Sequence, residues 1–304
     1  MAATAIELAT DGVAAVKQAM TVISDLLDST IPWKDFREII KRVKESEDQY
    51  SNEAALVVGE VAKLLLDSCD SYVLSVNSVD NWCKSAVQHL VVYLHLFAGT
   101  KDKGTAEAQK ILLLTVLNDG QAAISKALND LNTCNERFNV LTAKLIELET
   151  IFENDFRDSS AYFKNSVKQL RQKMYGGAAL AGTLVLGPIG LAISSIIAAG
   201  IVEVNMVPQL KEAFRATRQK FADLQKTLVK AMTVLQSAKD DINEEITRLN
   251  NISSQIATTN GFALAWAAAP EPLFESLKKS TNELIKMCTD YSASAQRKRA
   301  ANWM

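Results

Sequence analysis

The sequence predicts an all-α protein: an elongated bundle of about four or five long helices with a small head that carries an apolar hairpin. Three observations lead there. Only 5 prolines fall in 304 residues, and between the few Gly/Pro clusters the chain is rich in Ala, Leu, Lys, Glu and Gln, all good helix formers. Apolar residues recur every seventh position through two long segments. Between those segments, Met174 to Val202 runs without one charged side chain.

The first helix, expected from Ala5 to Ser29, is amphipathic. At 100° per residue, Glu7, Asp11, Gln18, Thr21, Asp25, Asp28 and Ser29 fall within about 60° of one line. Leu8, Ala9, Val13, Val16, Met20, Ile23, Leu26 and Leu27 stand opposite. Such a helix is ~37 Å long, enough to cross a bilayer. In a ring of copies its carboxylates would face a pore and favour cations. A solvent-facing helix on a bundle has the same pattern, so both readings stand on the residues alone.

A second long helix is expected over about Glu53 to Phe97. Its stripe is Val58, Val61, Leu65, Cys69, Tyr72, Val76, Val79, Cys83, Ala86 and Leu90. The cysteines are members of that stripe, which places them in packing. Gly99 to Gly104 then forms a polar turn. It is no phosphate loop, because Thr105 follows Gly104 directly where a P-loop needs Gly-Lys-Ser/Thr.

From Thr105 to Lys173 no proline interrupts, and Leu117, Ile124, Leu131, Phe138, Leu145 and Phe152 lie seven apart, with Leu141 and Leu148 on the same face. After the uncharged run comes Phe214, Phe221, Leu228, Leu235, Ile242, Leu249 and Ile256, again seven apart. A second seam of Leu224, Ala231, Ala238 and Ile252 has one polar exception, Glu245. These two helices should pack antiparallel, with the uncharged run at one far end. An Ala-rich connector, Asn260 to Pro272, leads to a last helix over about Pro272 to Gln296.

The uncharged run holds six of the 12 glycines and a central Gly187-Pro188-Ile189-Gly190, which would break a single spanning helix. Lys168, Arg171 and Lys173 precede it and Glu203 follows. An apolar hairpin able to enter a membrane fits this pattern, and so does a buried core hairpin. The expected organisation is one elongated domain over 1–304. Residues 1–30 form the amphipathic helix, 31–173 and 203–304 the bundle, and 174–202 the apolar hairpin.

A net charge of −2 leaves no basic field for nucleic acid. Glu7 and Asp11 interrupt the N-terminal segment, which therefore does not read as a Sec signal peptide. The 2 histidines, His89 and His95, point in different directions on their helix, and no Cys-x-x-Cys pair exists, so no metal site is expected. Neither a nucleophile elbow nor a dinucleotide glycine pattern occurs. The sequence predicts no enzyme, no cofactor and no small-molecule substrate.

Across nearly its full length the chain resembles the cytolysin A (haemolysin E) family of α-helical pore-forming toxins. The resemblance is carried by Ile31-Pro32-Trp33-Lys34-Asp35-Phe36, Asp67-Ser68-Cys69-Asp70-Ser71-Tyr72, Trp82-Cys83, Leu117-Asn118-Asp119-Gly120 and Asn154-Asp155-Phe156, followed by Tyr162-Phe163. Its most specific piece is Gly187-Pro188-Ile189-Gly190-Leu191 with Ala198 to Glu203 and Pro208-Gln209-Leu210-Lys211. It coincides with the membrane hairpin known in that family as the β-tongue.

The resemblance implies a soluble monomer that touches a target-cell lipid membrane through the tongue. The first helix then swings out, and protomers form a homo-oligomeric ring around a pore. The implied tongue residues are Tyr175, Leu180, Leu184, Val185, Leu186, Pro188, Ile189, Leu191, Ile193, Ile196 and Ile197. The implied pore-lining residues are Glu7, Asp11, Gln18, Asp25 and Asp28. Cys83 and Cys288 sit where the family can form a disulfide tying the last helix to the bundle, whereas Cys69 and Cys134 have no family counterpart and read as core thiols. Ser195 stands where the family type carries an aromatic residue, leaving Tyr175 as the tongue's only aromatic and leaving any preference for cholesterol open. Release from the producing cell would bypass the Sec route, for instance in vesicles. Two alternatives remain: one component of a two- or three-part toxin that is inactive alone, and a helical structural or adhesion protein.

Overall fold

The computed structural model describes residues 2–27, 31–98, 102–175, 192, 206–259 and 262–300. Among these residues the regular structure is entirely helical. Helix α1 (Ala2–Thr21) continues as a π-helical segment, Val22–Leu27. Then follow α2 (Trp33–Lys44), α3 (Asn52–His95), α4 (Lys103–Asp155), α5 (Ala161–Tyr175), α6 (Met206–Thr258), α7 (Phe262–Ala267) and α8 (Glu271–Ala300).

The helix ends have local causes. Ser51 Oγ accepts the Ala54 N–H at 3.2 Å at the start of α3, and Asp102 Oδ1 accepts the Thr105 N–H at 2.8 Å at the start of α4. Pro208 and Pro272 lie in the first turns of α6 and α8, where a missing N–H is tolerated. Where the sequence predicts one helix through Thr105–Lys173, the chain breaks between α4 and α5. The polar run Arg157-Asp158-Ser159-Ser160 makes the break, and Ser160 Oγ caps α5 by accepting the Phe163 N–H at 2.9 Å. Prolines are not the only helix breakers.

Two compact units result. The first comprises Met1–Ile31, Asp70–Thr133 and Val234–Met304, and the second Pro32–Cys69 and Cys134–Thr233. Helices α3, α4 and α6 each give one end to either unit. In the first unit Gln121 Nε2 donates to Asn250 Oδ1 at 2.8 Å and Lys110 Nζ to the Ala257 carbonyl at 3.4 Å. In the second unit Arg218 lies 3.1 Å from Glu153 and 3.6 Å from Glu149. Residue numbers fall along α6 as they rise along α4, so the two run antiparallel, as the heptads require.

Every residue of both heptad rows and of the α3 stripe is buried, at 6% exposure or less. The first unit closes on an aromatic cluster in which Trp266 lies 5.2 Å from Phe262, 5.5 Å from Phe274 and 6.0 Å from Phe97, measured between ring centroids. In the second unit Trp33 lies 6.0 Å from both Phe36 and Phe138, and Phe152, Phe156 and Phe214 continue as a stack at 4.8 and 4.0 Å.

Gly120 of α4 lies close against Trp82 of α3 in the first unit. A Cβ there would lie 2.9 Å from the Trp82 ring, whose Nε1 donates to the Val116 carbonyl at 3.2 Å. The ring cannot yield without giving up that bond. Gly120→Ala is expected to lower stability by ~1–3 kcal/mol, read as a fall in the denaturant midpoint with altered tryptophan fluorescence.

Candidate functional site

Helix α1 is the element whose sequence and surroundings differ most. Ala5, Ile6, Ala9, Val13, Ala15, Val16, Ala19 and Met20 are each at most 1% exposed, whereas Glu7, Asp11 and Gln18 face solvent. Over residues 5–20 the predicted apolar positions Ala9, Val13, Val16 and Met20 are thus buried and the predicted polar positions Glu7, Asp11 and Gln18 exposed, with Leu8 half-buried. Asp25 falls in the π-helical segment, and Asp28 lies outside the described residues.

Small residues let α1 come close. A Cβ on Gly12 would meet Leu117 Cδ1 of α4 at 2.8 Å and Ile252 Cγ2 of α6 at 3.3 Å. Helix α1 also packs along α8 and against α7. Lys17 pairs with Glu283 of α8, and Asp11 lies 3.7 Å from Arg248 of α6. Both pairs are largely exposed, so the apolar contacts outweigh them.

At the C-terminal end of α1, Met20 Sδ lies 4.0 Å from Cys288 Sγ of α8. Cys288 in turn is in hydrogen-bonding contact with Cys83 of α3, and both are wholly buried free thiols. The Cys288 contact, followed by burial, pushes the Cys83 thiol far above its ordinary value. The structure thus brings together the two cysteines singled out as a pair. Cys69 and Cys134 are likewise buried, as expected of core thiols.

The charged member of the α6 seam, Glu245, has a side chain only 13% exposed. Arg248 stands between it and α1, 3.7 Å from Glu245 and 3.7 Å from Asp11. Burial pushes the Glu245 carboxyl above its ordinary value, Arg248 opposes the shift and Glu244 adds to it.

The apolar tongue lies almost entirely outside the described residues, which include neither Leu180, Leu184, Val185 and Leu186 nor Pro188, Ile189, Leu191, Ile193, Ile196 and Ile197. Tyr175 is the last residue of α5. Ala192 is described and is wholly buried among Phe163 and Leu170 of α5 and Leu210, Ala213 and Phe214 of α6. Lys211 pairs with Asp158 at 2.6 Å and lies 5.9 Å from the centre of the Phe163 ring. Among the described residues no helix is long and apolar enough to cross a membrane, and no group of three or more His, Cys, Asp or Glu side chains could hold a metal ion.

Sequence reasoning missed Arg248, whose bridging position follows from the packing of α1 on α6. It also missed the closeness of Gly12 to Leu117, since nothing in the first twenty residues states which helix they meet.

The family model described as Haemolysin E (HlyE) matches residues 1–295. Hemolysin E of Escherichia coli O157:H7 is 33% identical over 286 residues, covering 94% of this chain and 92% of that protein. Hemolysin E of Salmonella typhi is 32% identical over the same length and coverage. Among solved structures, a Bacillus cereus HblL1 toxin component matches with a TM-score of 0.45 and 14% identity, over 94% of this chain and 95% of that one. That likeness is too loose to add to the assignment.

Two expectations follow from the bed of α1. Gly12→Leu should push α1 off Leu117 and Ile252, lowering stability by ~1–3 kcal/mol, with faster hydrogen exchange concentrated in the α1 amides. Glu245 has a raised value in the fold, so its contribution is complete at acid pH and is lost as pH rises through that value. Glu245→Gln should therefore gain stability over the parent chain as pH climbs from about 4 towards 7, measured as denaturant midpoints across that range.

Proposed function

The chain belongs to the haemolysin E family, and on that premise we propose that it is a self-sufficient pore-forming cytolysin whose first helix lines the pore. The observation that carries this reading is the state of α1: Ile6, Val13, Val16 and Met20 are buried, Glu7, Asp11 and Gln18 are in water, and the ion pairs of Lys17 and Asp11 lie at the surface beside that packing. Such a helix can exchange one apolar environment for another. Lipid and neighbouring copies take the buried face, and the carboxylates stay in water inside a ring.

Contact with the target membrane is made by residues 174–202, the uncharged run that joins α5 to α6. Burying its apolar area in lipid at roughly 25 cal/mol per Å² offsets what the soluble fold gives up. Protomers then close into a homo-oligomeric ring. Glu7, Asp11, Gln18, Asp25 and Asp28 line the aqueous path and favour cations. Cys83 and Cys288, already in contact, are the pair that an oxidising environment would join, tying α8 to α3 while α1 departs. Such a bond would stabilise the first unit by ~2–4 kcal/mol. A cation-selective pore requires acidic residues along its wall, and α1 supplies them.

Dye release from liposomes by the purified protein alone tests the self-sufficient reading. Rapid release is expected, and vesicles with and without cholesterol will show whether Ser195 removes a sterol preference. Membrane binding without release would instead favour a component of a multi-part toxin. Leu186→Asp should abolish membrane binding while leaving the soluble fold intact, and lysis by that variant would overturn the tongue assignment. Reversal potentials in a salt gradient are expected to indicate cation selectivity. An anion-selective pore would remove Glu7 and Asp11 from its wall.

A further inference from the structure

Helix α5 differs from the other long helices in its charge. Over its 15 residues it carries Lys164, Lys168, Arg171 and Lys173 and no Asp or Glu, in a chain whose net charge is −2. The other long helices each mix both signs. At 100° per residue Lys164, Lys168 and Arg171 fall within about 60° of one another, so they form one stripe. All three are exposed. The stripe rises ~10 Å along the helix. It ends just before the uncharged run that begins at Met174.

The cations on the neighbouring stretch of α6 are engaged. Lys211 lies 2.6 Å from Asp158, Arg215 lies 3.3 Å from Glu212 and Arg218 lies 3.1 Å from Glu153. Lys164, Lys168 and Arg171 have no such carboxylate among the described residues. Along α5 they have only each other. Lys164 and Lys168 are four residues apart, a spacing at which like charges destabilise a helix. A face that serves only solubility is better made with a Glu at that spacing. The opposite face of α5 is apolar: Phe163 and Leu170 are buried with Ala192, a residue of the uncharged run itself. One helix thus holds that run on its inner face and shows cations on its outer one.

A partner that accepts an apolar segment and offers anions beside it is a bilayer with acidic headgroups. From this placement we propose that Lys164, Lys168 and Arg171 form a docking stripe for anionic phospholipid headgroups, engaged as residues 174–202 enter the membrane. The proposal rests on the reading of that run as the membrane contact and adds a lipid class to it. The reach fits. Even with α5 perpendicular to the surface, Arg171 lies ~5 Å and Lys164 ~15 Å along the helix from the first residue of the run. The headgroup layer is about 5–8 Å thick on either side of the hydrocarbon core. The potential of an acidic surface extends about 8 Å further in physiological salt. The whole stripe lies within that field, where each basic residue adds roughly fivefold to membrane affinity.

The test is co-sedimentation of the whole protein with phosphatidylcholine–cholesterol vesicles, with and without phosphatidylserine. Binding should be at least about tenfold tighter with the acidic lipid, and the advantage should vanish at about 1 M salt, where the Debye length is about 3 Å. Replacing Lys164, Lys168 and Arg171 together by Gln changes exposed side chains only. It should remove the advantage and leave binding to neutral vesicles and the helical content unchanged. Replacing Lys63, Lys230 and Lys279 by Gln, also exposed but on other helices, should leave the advantage in place. Equal binding to the two vesicles, an advantage kept by the stripe variant, or one lost equally in the control would each overturn the proposal. So would a single-stranded oligonucleotide held as tightly as the acidic vesicles, which would make the stripe a general polyanion site. Binding to neutral vesicles reports on residues 174–202 and the acidic-lipid advantage on the stripe, so the two readings fail separately.

Discussion

The structure depends on the burial of one face of α1. Ile6, Val13, Val16, Met20, Val22 and Ile23 are each 5% exposed or less. At ~1.5–3 kcal/mol per fully buried side chain, their removal to water would cost on the order of 10 kcal/mol. The ion pairs to Glu283 and Arg248 are exposed and contribute little beside that. Helix α1 is therefore held by the hydrophobic effect, which has no directional preference. A face held in this way is equally satisfied by any other apolar medium of the right shape, and a bilayer is one.

The bed that receives α1 is built for close approach and carries one defect. Gly12 admits Leu117 and Ile252 where any side chain would hold them off. The first row of the α6 seam is apolar from Phe214 to Ile256, whereas in the second row Glu245 puts a charge in the place of a core residue. Arg248 lies within 3.7 Å of Glu245 and of Asp11, so one guanidinium is shared by a half-buried acid on the bed and an exposed acid on α1. A buried carboxylate weakens a seam. Its place in this chain is beside the helix that the proposed mechanism releases.

The heptads of α4 and α6 and the stripe of α3 were legible because burial along a long helix repeats with the turn of the helix, and every residue so marked is buried. The acidic and apolar faces of α1 followed from the same arithmetic. What escaped is tertiary or local. The break before α5 comes from a serine cap among polar residues, and α7 is too short for periodicity to register. The contact of Cys83 with Cys288 joins positions far apart in sequence, and only a family resemblance could suggest it. Periodicity states that a face is buried and never names its partner.

The order of events under the proposed mechanism follows from these magnitudes. Thermal motion does not expose α1 to water against on the order of 10 kcal/mol, since such a state is populated about once in ten million molecules. An apolar medium must already be at hand when α1 leaves, so membrane contact comes first. Of the long segments, only 174–202 lacks charge, and this run can enter lipid without burying an ion. Ala192 packs among Phe163, Leu170 and Phe214, so entry of this run into lipid must first withdraw a side chain from that core. The helices that meet there do not end there: α6 continues as the seam that carries Glu245 and Arg248. The carboxylate of Glu245, with a side chain 13% exposed beside Arg248, is a polar defect in the bed that the departing α1 leaves behind.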